Sequence, residues 1–395
     1  MGLVRRISLT SWIFVALVLG ALIGVFFPAF AKNLAPVSNI FLRLIKSIVG
    51  PLLFGTIVYG IAAAGELRTM GRIALKSLAY FEVATTLALA IGLVVVNLTR
   101  PGAGLTLVGG GTAAPGLAKP ISLAQNDVLQ MVVFFFLFGA ACSVVGAKAK
   151  PVVDFAEAVA AIMFQYTKYV MYCAPFGVGA AIAVTIGSKG IGVLFGLGKL
   201  IAATYLALAL FVVLVLAPTL AIARVPLARF WHAARQPFLI AFSTASSEAA
   251  LPLALENMER FGVPKHIVGF VLPTGYSFNL TGSVLYLSMA ALFIAQAGDV
   301  RMPLAAQITM MLTFMLTSKG VAGVPRAVLV ILAGSLTTFQ LPAEGITLLL
   351  GVDAVLDMGR TAVNVLGNCV ATVAVSRWEH VAVAGGRDEV EVIAG

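Results

Sequence analysis

The chain has 395 residues, of which 61% are hydrophobic and only 11% charged, with a mean hydropathy of +1.04. Soluble domains carry about 25% charged residues, so an ordinary soluble protein is excluded; long unbroken apolar runs point to a polytopic bundle of helices rather than a barrel of short alternating strands. The net charge of +10 does not indicate nucleic acid, because Lys and Arg are scattered between apolar runs and read as topology signals.

Residues 1–31 resemble a secretory leader, with Arg5 and Arg6 before an apolar run and Ala29-Phe-Ala31 as a cleavage-like site. The run over residues 11–30 is long for a leader and more membrane sequence follows, so it is read as the first span. A second span covers residues 40–64 and opens on Phe41-Leu-Arg-Leu-Ile-Lys46, whose basic residues can snorkel to an interface. The third covers 76–98. A Gly- and Pro-rich loop at 100–120 leads to a fourth span at 127–145, a fifth at 153–186 and a sixth at 191–222. Alternate loops hold Arg68, Arg72 and Lys76, then Lys148 and Lys150, then Arg224, Arg229 and Arg235, whereas the other side holds chiefly Lys32, Arg100, Lys119 and Lys189. The positive-inside rule places the N-terminus in the cytoplasm. Cys142, Cys173 and Cys369 lie in apolar runs without metal-ligand spacing and are assigned to packing.

Beyond the sixth span two apolar stretches are interrupted by small polar tips, Thr244-Ala-Ser-Ser-Glu-Ala-Ala-Leu-Pro252 and Thr317-Ser-Lys-Gly-Val-Ala-Gly-Val-Pro325. Each is followed about 27 residues later by a polar break in a further span, Asn279-Leu-Thr-Gly-Ser283 in one case and Asp353 onward in the other. Interrupted segments at corresponding positions of two halves point to a transporter binding site. Irregular backbone at membrane depth must be buried in protein or line a cavity, so the tips are expected to be re-entrant hairpins; ordinary kinked helices are the alternative.

On the last span Asp353, Asp357, Arg360, Thr361, Asn364 and Asn368 fall in a sector roughly 100° wide at helical spacing. Unpaired charge at the bilayer centre costs a few kcal/mol per group, so partners or ligands are required. Asp357 and Arg360 could simply pair at i, i+3. The stripe also offers a cation for a carboxylate, an anion for an ammonium and neutral donors, and Asn279 and Ser283 add more on another span. That inventory fits an acidic amino acid, with Arg360 on its side-chain carboxylate, Asp357 on its ammonium, and Asn364 with hairpin N–H groups on its α-carboxylate. From Arg377 the chain turns polar and ends in a short tail expected to be mobile.

Six segments, in this order and spacing, carry a resemblance over almost the whole chain: Phe41-Leu-Arg-Leu-Ile-Lys46, Tyr80-Phe-Glu82, Thr244-Ala-Ser-Ser-Glu248, Pro273-Thr-Gly-Tyr-Ser-Phe-Asn279, Gly320-Val-Ala-Gly-Val-Pro325 and Asp357-Met-Gly-Arg-Thr-Ala-Val-Asn364. The chain resembles the dicarboxylate/amino acid:cation symporters, which include the glutamate transporters. The resemblance implies an all-α membrane protein of eight transmembrane helices and two re-entrant hairpins with inverted repeats, assembled as a homotrimer and working as an elevator. Its scaffold would comprise residues 1–70 and 101–186, its transport domain 71–100 and 187–377, and its cytoplasmic tail 378–395. Substrate contacts implied by position are Ser247, Ser283, Val324, Asp357, Arg360, Thr361 and Asn364, with Ser246, Gly323, Pro325 and Arg326 at the gating tips. The C4-dicarboxylate branch lacks an acid at the position of Asp357, so its presence favours aspartate or glutamate.

Sodium-coupled members place Asp where this chain has Thr281 and Asn368, and a Tyr and a Thr where it has Phe81 and Ala84. Each change removes a charge or a hard oxygen ligand. A carbonyl-built site near Gly275, Ser277, Asn279 and Ser318 could persist. Proton coupling is the natural replacement, since desolvation favours the protonated form of a buried carboxylate; Glu82, Glu248 and Asp353 are the candidates, with Glu248 alternatively serving the helix after the first tip. A Glu that carries the proton in glutamate transporters is Leu287 here, and Ala245 stands where archaeal relatives have an Arg, while Arg326 follows the second tip. The expected function is a sodium-independent, proton-coupled symporter of glutamate or aspartate in a bacterial inner membrane, without cofactor or certain metal site. A C4-dicarboxylate carrier and a sodium-coupled aspartate transporter are the alternatives. An ion channel would want charge rings, and an enzyme a nucleophile and base; His232, His266 and His380 lie at segment ends or in the tail.

Overall fold

The computed structural model describes residues 9–66, 71–105, 127–190, 192–318 and 327–379, and those residues form helices without a strand. In chain order the helices are α1 (Leu9–Phe26), α2 (Pro28–Lys32), α3 (Ala35–Glu66), α4 (Arg72–Thr99), α5 (Asp127–Val145), α6 (Lys150–Tyr172), α7 (Ala174–Lys189), α8 (Gly192–Phe211), α9 (Ala217–Ile222), α10 (Leu227–Thr244), α11 (Ser247–Arg260), α12 (Lys265–Phe278), α13 (Thr281–Ala297), α14 (Leu304–Thr317), α15 (Ala327–Thr338) and α16 (Glu344–Trp378). Three continuous or nearly continuous stretches, Arg72–Thr99, Gly192–Ile222 and Lys265–Ala297, are long and apolar enough to cross a membrane.

The expected fifth span is divided, and the expected sixth is one stretch that changes its winding within it. Pro175 sits in the first turn of α7, where its missing N–H does no harm, and the helix preceding it ends at Tyr172. Pro218 cannot return an amide hydrogen to the preceding turn, and the chain passes from α8 to α9 through a π turn at Val212–Leu216. The seventh span breaks as expected, at Asn279 and Leu280 between α12 and α13. The break expected from Asp353 onward is absent: α16 runs unbroken for 35 residues. Polar side chains on one stripe leave the backbone ladder intact, and no proline interrupts it.

Packing falls around two centres. α13 and α16 are buried almost throughout and are surrounded by α4, α8, α10, α11 and α12. α3 packs with α5, α6 and α7, and α7 with α1. The two groups meet where α16 lies against α7, and α15 reaches from α13 to α3 and α5. Glycines set the close approaches. A Cβ on Gly24 would lie 2.8 Å from the Ala183 carbonyl of α7, one on Gly55 2.6 Å from the Ala160 amide of α6, and one on Gly92 2.6 Å from the Leu285 carbonyl of α13. Such contacts substitute for hydrophobic driving force between helices in lipid.

The ends of α4 and α16 are clamped together. Lys76 Nζ donates to the Trp378 carbonyl at 2.6 Å and pairs with Glu379 at 2.8 Å, while Arg72 Nη2 lies 3.0 Å from the same carboxylate. Hydrogen bonding from Lys76, with Arg72 beside it, holds the Glu379 carboxyl below the usual range. The lysine also answers the exposed carbonyls at the end of α16, where a cation is favoured.

Gly24→Leu is expected to lose about 1–3 kcal/mol of stability by overpacking, whereas Gly198→Leu, where an added Cβ meets nothing within 4 Å, is expected to be tolerated; thermal melting of the two purified variants checks the contrast.

Candidate functional site

The site lies where α16 meets the break between α12 and α13. Arg360 is fully buried at its centre. Its Nη2 donates to Asp357 Oδ1 at 2.7 Å and to Asp353 Oδ1 at 3.0 Å, so both hydrogens of that nitrogen are used. Spacings of three and seven residues bring the three side chains onto one stripe of α16. Arg360 Cζ stands 4.4 Å from the ring centroid of Tyr286 on α13, a cation–π contact worth about 2 kcal/mol when desolvated. Arg360 Nε and Nη1 meet no acceptor among the described residues. Leaving such donors dry costs about 1–3 kcal/mol or more for a charged group, so the described residues answer the guanidinium only in part.

Asn364, one turn further, reaches across to the start of α13. Its Oδ1 accepts from Gly282 N at 2.8 Å and Ser283 N at 3.3 Å, and its Nδ2 donates to Ser283 Oγ at 2.9 Å. The residue preceding α13, Leu280, has no capping side chain, so Asn364 caps that helix from another one. A Cβ on Gly282 would lie 2.6 Å from the Arg360 carbonyl, which accounts for glycine there. The assignment of Asn364 to a substrate carboxylate is therefore narrowed: its carbonyl oxygen is committed to α13, and one amide hydrogen remains.

Two turns beyond Arg360, Asn368 accepts from Asn279 Nδ2 at 2.8 Å, both residues being wholly buried. Gly275 makes room for the Asn368 carbonyl oxygen, and the Phe81 ring closes the same spot at 3.3 Å from where a Gly275 Cβ would stand. Asn279 Oδ1, Asn368 Nδ2 and Thr281 Oγ1 are buried without a hydrogen-bond partner among the described residues. This second cluster is polar and electrically neutral.

Other expected site residues are distributed as follows. Thr361 is buried on the stripe. Ser246 caps α11, its Oγ accepting from Ala249 N at 3.3 Å, and Ser247 opens that helix half-buried. Glu248 is exposed in the first turn of α11, where the dipole favours an acid; the cap itself is Ser246. Ala245, at φ 49°, turns the chain between α10 and α11, and both helices contact α16. Glu82 is exposed on α4, Ser277 is half-buried, and Ser318 is buried with its hydroxyl on the Met315 carbonyl at 3.3 Å. Gly323, Val324, Pro325 and Arg326 lie outside the described residues.

Tyr286 and Tyr205 escaped the sequence reading. Tyr205 on α8 donates to the Val355 carbonyl at 2.7 Å, fixing α16 within the aspartate turn. A tyrosine three residues after Ser283 was the only available signal for Tyr286; nothing marked Tyr205.

The sodium:dicarboxylate symporter family model matches residues 9–378. The proton/sodium-glutamate symport protein of Geobacillus stearothermophilus is 39% identical over 95% of this chain and 95% of its own. The C4-dicarboxylate transport protein of Anaeromyxobacter sp. (strain K) is 42% identical, covering 94% and 90%, and the proton/glutamate-aspartate symporter of Bacillus subtilis (strain 168) is 42% identical, covering 93% and 94%. The chain belongs to the sodium:dicarboxylate symporter family and is an integral membrane transporter, not an enzyme.

Proposed function

We propose that this protein is a sodium-independent, proton-coupled symporter of the acidic amino acids aspartate and glutamate. The observation that carries the substrate class is the buried Asp357–Arg360 pair, in which one nitrogen of the guanidinium is engaged and two meet no acceptor among the described residues. An amino acid with a second carboxylate supplies the missing anion for Arg360 and an ammonium for Asp357, matching each charge with its opposite. A C4-dicarboxylate offers nothing to Asp357. That second reading rests on the relatives, whose names include C4-dicarboxylate carriers at the same identity as glutamate-aspartate symporters.

The charge count argues for a coupled cation. Asp353, Asp357 and Arg360 leave the site at a formal −1, and aspartate or glutamate brings another −1. Concentrating two negative charges in a dry site is unfavourable without a cation. The neutral Asn279–Asn368 bridge argues against sodium. Its unmatched atoms are one acceptor, Asn279 Oδ1, and one donor, Asn368 Nδ2; a cation satisfies the first and is repelled by the second, whereas a hydroxyl or water satisfies both. Gly275, Ser277 and Ser318 remain as the places where a carbonyl-built sodium site would form if this reading failed.

The same reading takes α10 with α11, and α14 with α15, as re-entrant hairpins whose tips gate the site, in a homotrimeric elevator of a bacterial inner membrane with cytoplasmic termini. The packing of α4, α8 and α10–α13 around α16 supports a single body that carries the substrate. The group of α3, α5, α6 and α7, with α1, supplies the scaffold.

Proteoliposomes in sodium-free buffer are expected to accumulate labelled L-aspartate when an inside-alkaline gradient is imposed; no uptake there, with recovery on external sodium, would overturn the coupling. Asp357→Ala is expected to weaken aspartate binding about ten- to a hundred-fold, the value of one charge-assisted hydrogen bond of about 1.5–3 kcal/mol, while leaving succinate affinity little changed; calorimetric titration of both ligands checks this, and preference of the wild type for succinate would favour the dicarboxylate reading.

A further inference from the structure

We infer that α3, α5 and α6 hold the headgroup of a bilayer phospholipid that carries a primary ammonium beside its phosphate. The site is a cavity of about 520 Å³ that opens where the end of α5 turns into α6, against the last turns of α3. That volume is in the range of small-molecule sites. Its walls come from residues 59–62, 142–147 and 150–157, none of them on α13 or α16, so it is separate from the charged stripe around Arg360. The inference needs only that the chain is an integral membrane protein, and it stands apart from the substrate and the coupling ion.

The two sides of the cavity differ in chemistry. Its floor is apolar: Ala62 of α3 and Cys142 of α5 are buried, and with Ala149 they form a small core against which Val153 packs. Its polar wall is one stripe of α6. Lys150, Asp154 and Glu157 follow one another at spacings of four and three residues, which places them on a single face of that helix. Lys150 Nζ lies 3.3 Å from Asp154 Oδ1, so both signs of charge stand side by side, and two of the three ammonium hydrogens are left for other acceptors. An ion pair at i, i+4 is by itself ordinary helix decoration. The third member is not: Glu157 pairs with no cation among the described residues. One base and two acids leave the wall at a formal −1.

The surroundings select a lipid as the occupant. The cavity sits at the boundary between the expected fourth span, which ends at residue 145, and the expected fifth, which begins at 153, and this is the level at which headgroups lie. Around the charged wall, Val144 and Val145 at the end of α5 and Val152 and Phe155 on α6 are exposed. A pocket with charges of both signs inside an apolar rim matches a molecule with a zwitterionic head and acyl chains. Basic pockets at this level suit anionic lipids, but here a lone phosphate would face two carboxylates. A phosphate on Lys150 with an ammonium on Asp154 and Glu157 sets each charge against its opposite. A choline headgroup has no N–H to donate to the acids, and a glycerol headgroup has no cation.

The test is lipid retention by the purified full chain, read by native mass spectrometry with phosphatidylethanolamine, phosphatidylcholine and phosphatidylglycerol of identical acyl chains. The wild type is expected to retain phosphatidylethanolamine about fivefold more tightly than either of the others, the scale of one partly exposed ion pair. Glu157→Gln is expected to abolish that preference, and Glu157→Lys to reverse it toward phosphatidylglycerol, an inversion that a merely structural role would not give. Glu157 is exposed, so both variants are expected to fold, with melting temperatures close to that of the wild type. Soluble phosphoethanolamine, which has the same head without chains, is expected to leave the retained lipid in place. Equal retention of the three lipids by the wild type, or a preference unchanged in both Glu157 variants, would overturn the assignment. Displacement of the lipid by phosphoethanolamine would give the site to a free zwitterion instead. Loss of an oligomer in Glu157→Lys without any change in lipid preference would give it to a second copy of the chain, and the lipid reading would fall in either case.

Discussion

The structure is organised by the requirement that one guanidinium be kept at zero exposure. Removing a charge from water costs several kcal/mol even after relaxation, and Arg360 meets that cost with two carboxylates and an aromatic face. Three of the four groups stand on α16, which is why that helix must continue unbroken through its charged turns. The fourth, Tyr286, requires α13 to lie alongside. Tyr205 then fixes the turn between the two aspartates from a third helix.

The same stripe changes character along its length. Its first half is ionic, and two nitrogens of its guanidinium meet no acceptor among the described residues. Its second half, Asn364 and Asn368, is neutral and joins α16 to the break in the preceding span. An amide can serve as donor and acceptor at once, so these residues knit two helices together without introducing a net charge. Carboxylates in their place would need a cation to neutralise them; here the charges of the stripe are confined to Asp353, Asp357 and Arg360, and the amides join the helices.

Much of this was legible in the sequence because it rests on periodicity and on residues that punctuate helices. The polar stripe, the small polar segments around Ser246 and Asn279, and the long apolar runs all carry local signals. The internal repetition was legible only in part: a helix pair does precede each of the last two long segments, but Asp353 was taken for a break, whereas side-chain polarity by itself leaves backbone hydrogen bonds untouched. The π turn before Pro218 and the division at Cys173 depend on how a proline is accommodated, which packing decides. Tyr286 could not be singled out, since one aromatic in an apolar helix is ordinary. That Asn364 also holds the first amides of α13 was not legible, because those partners are 81 and 82 residues away in sequence and nothing local announces them.

That separation bears on how the protein is made. Domains form as the chain emerges from its N-terminus, so α13 and the break before it are synthesised well before Asn364 exists. Until then the amides of Gly282 and Ser283 have no cap, at a point where the helix has supplied none of its own. Residues 281–283 therefore reach their final form only when the last long helix enters the protein. A nascent chain arrested before residue 364 would lack both this cap and the Asn279–Asn368 bridge, and with them a finished first turn of α13. The contact that caps α13 is thus completed only once α16 has been made.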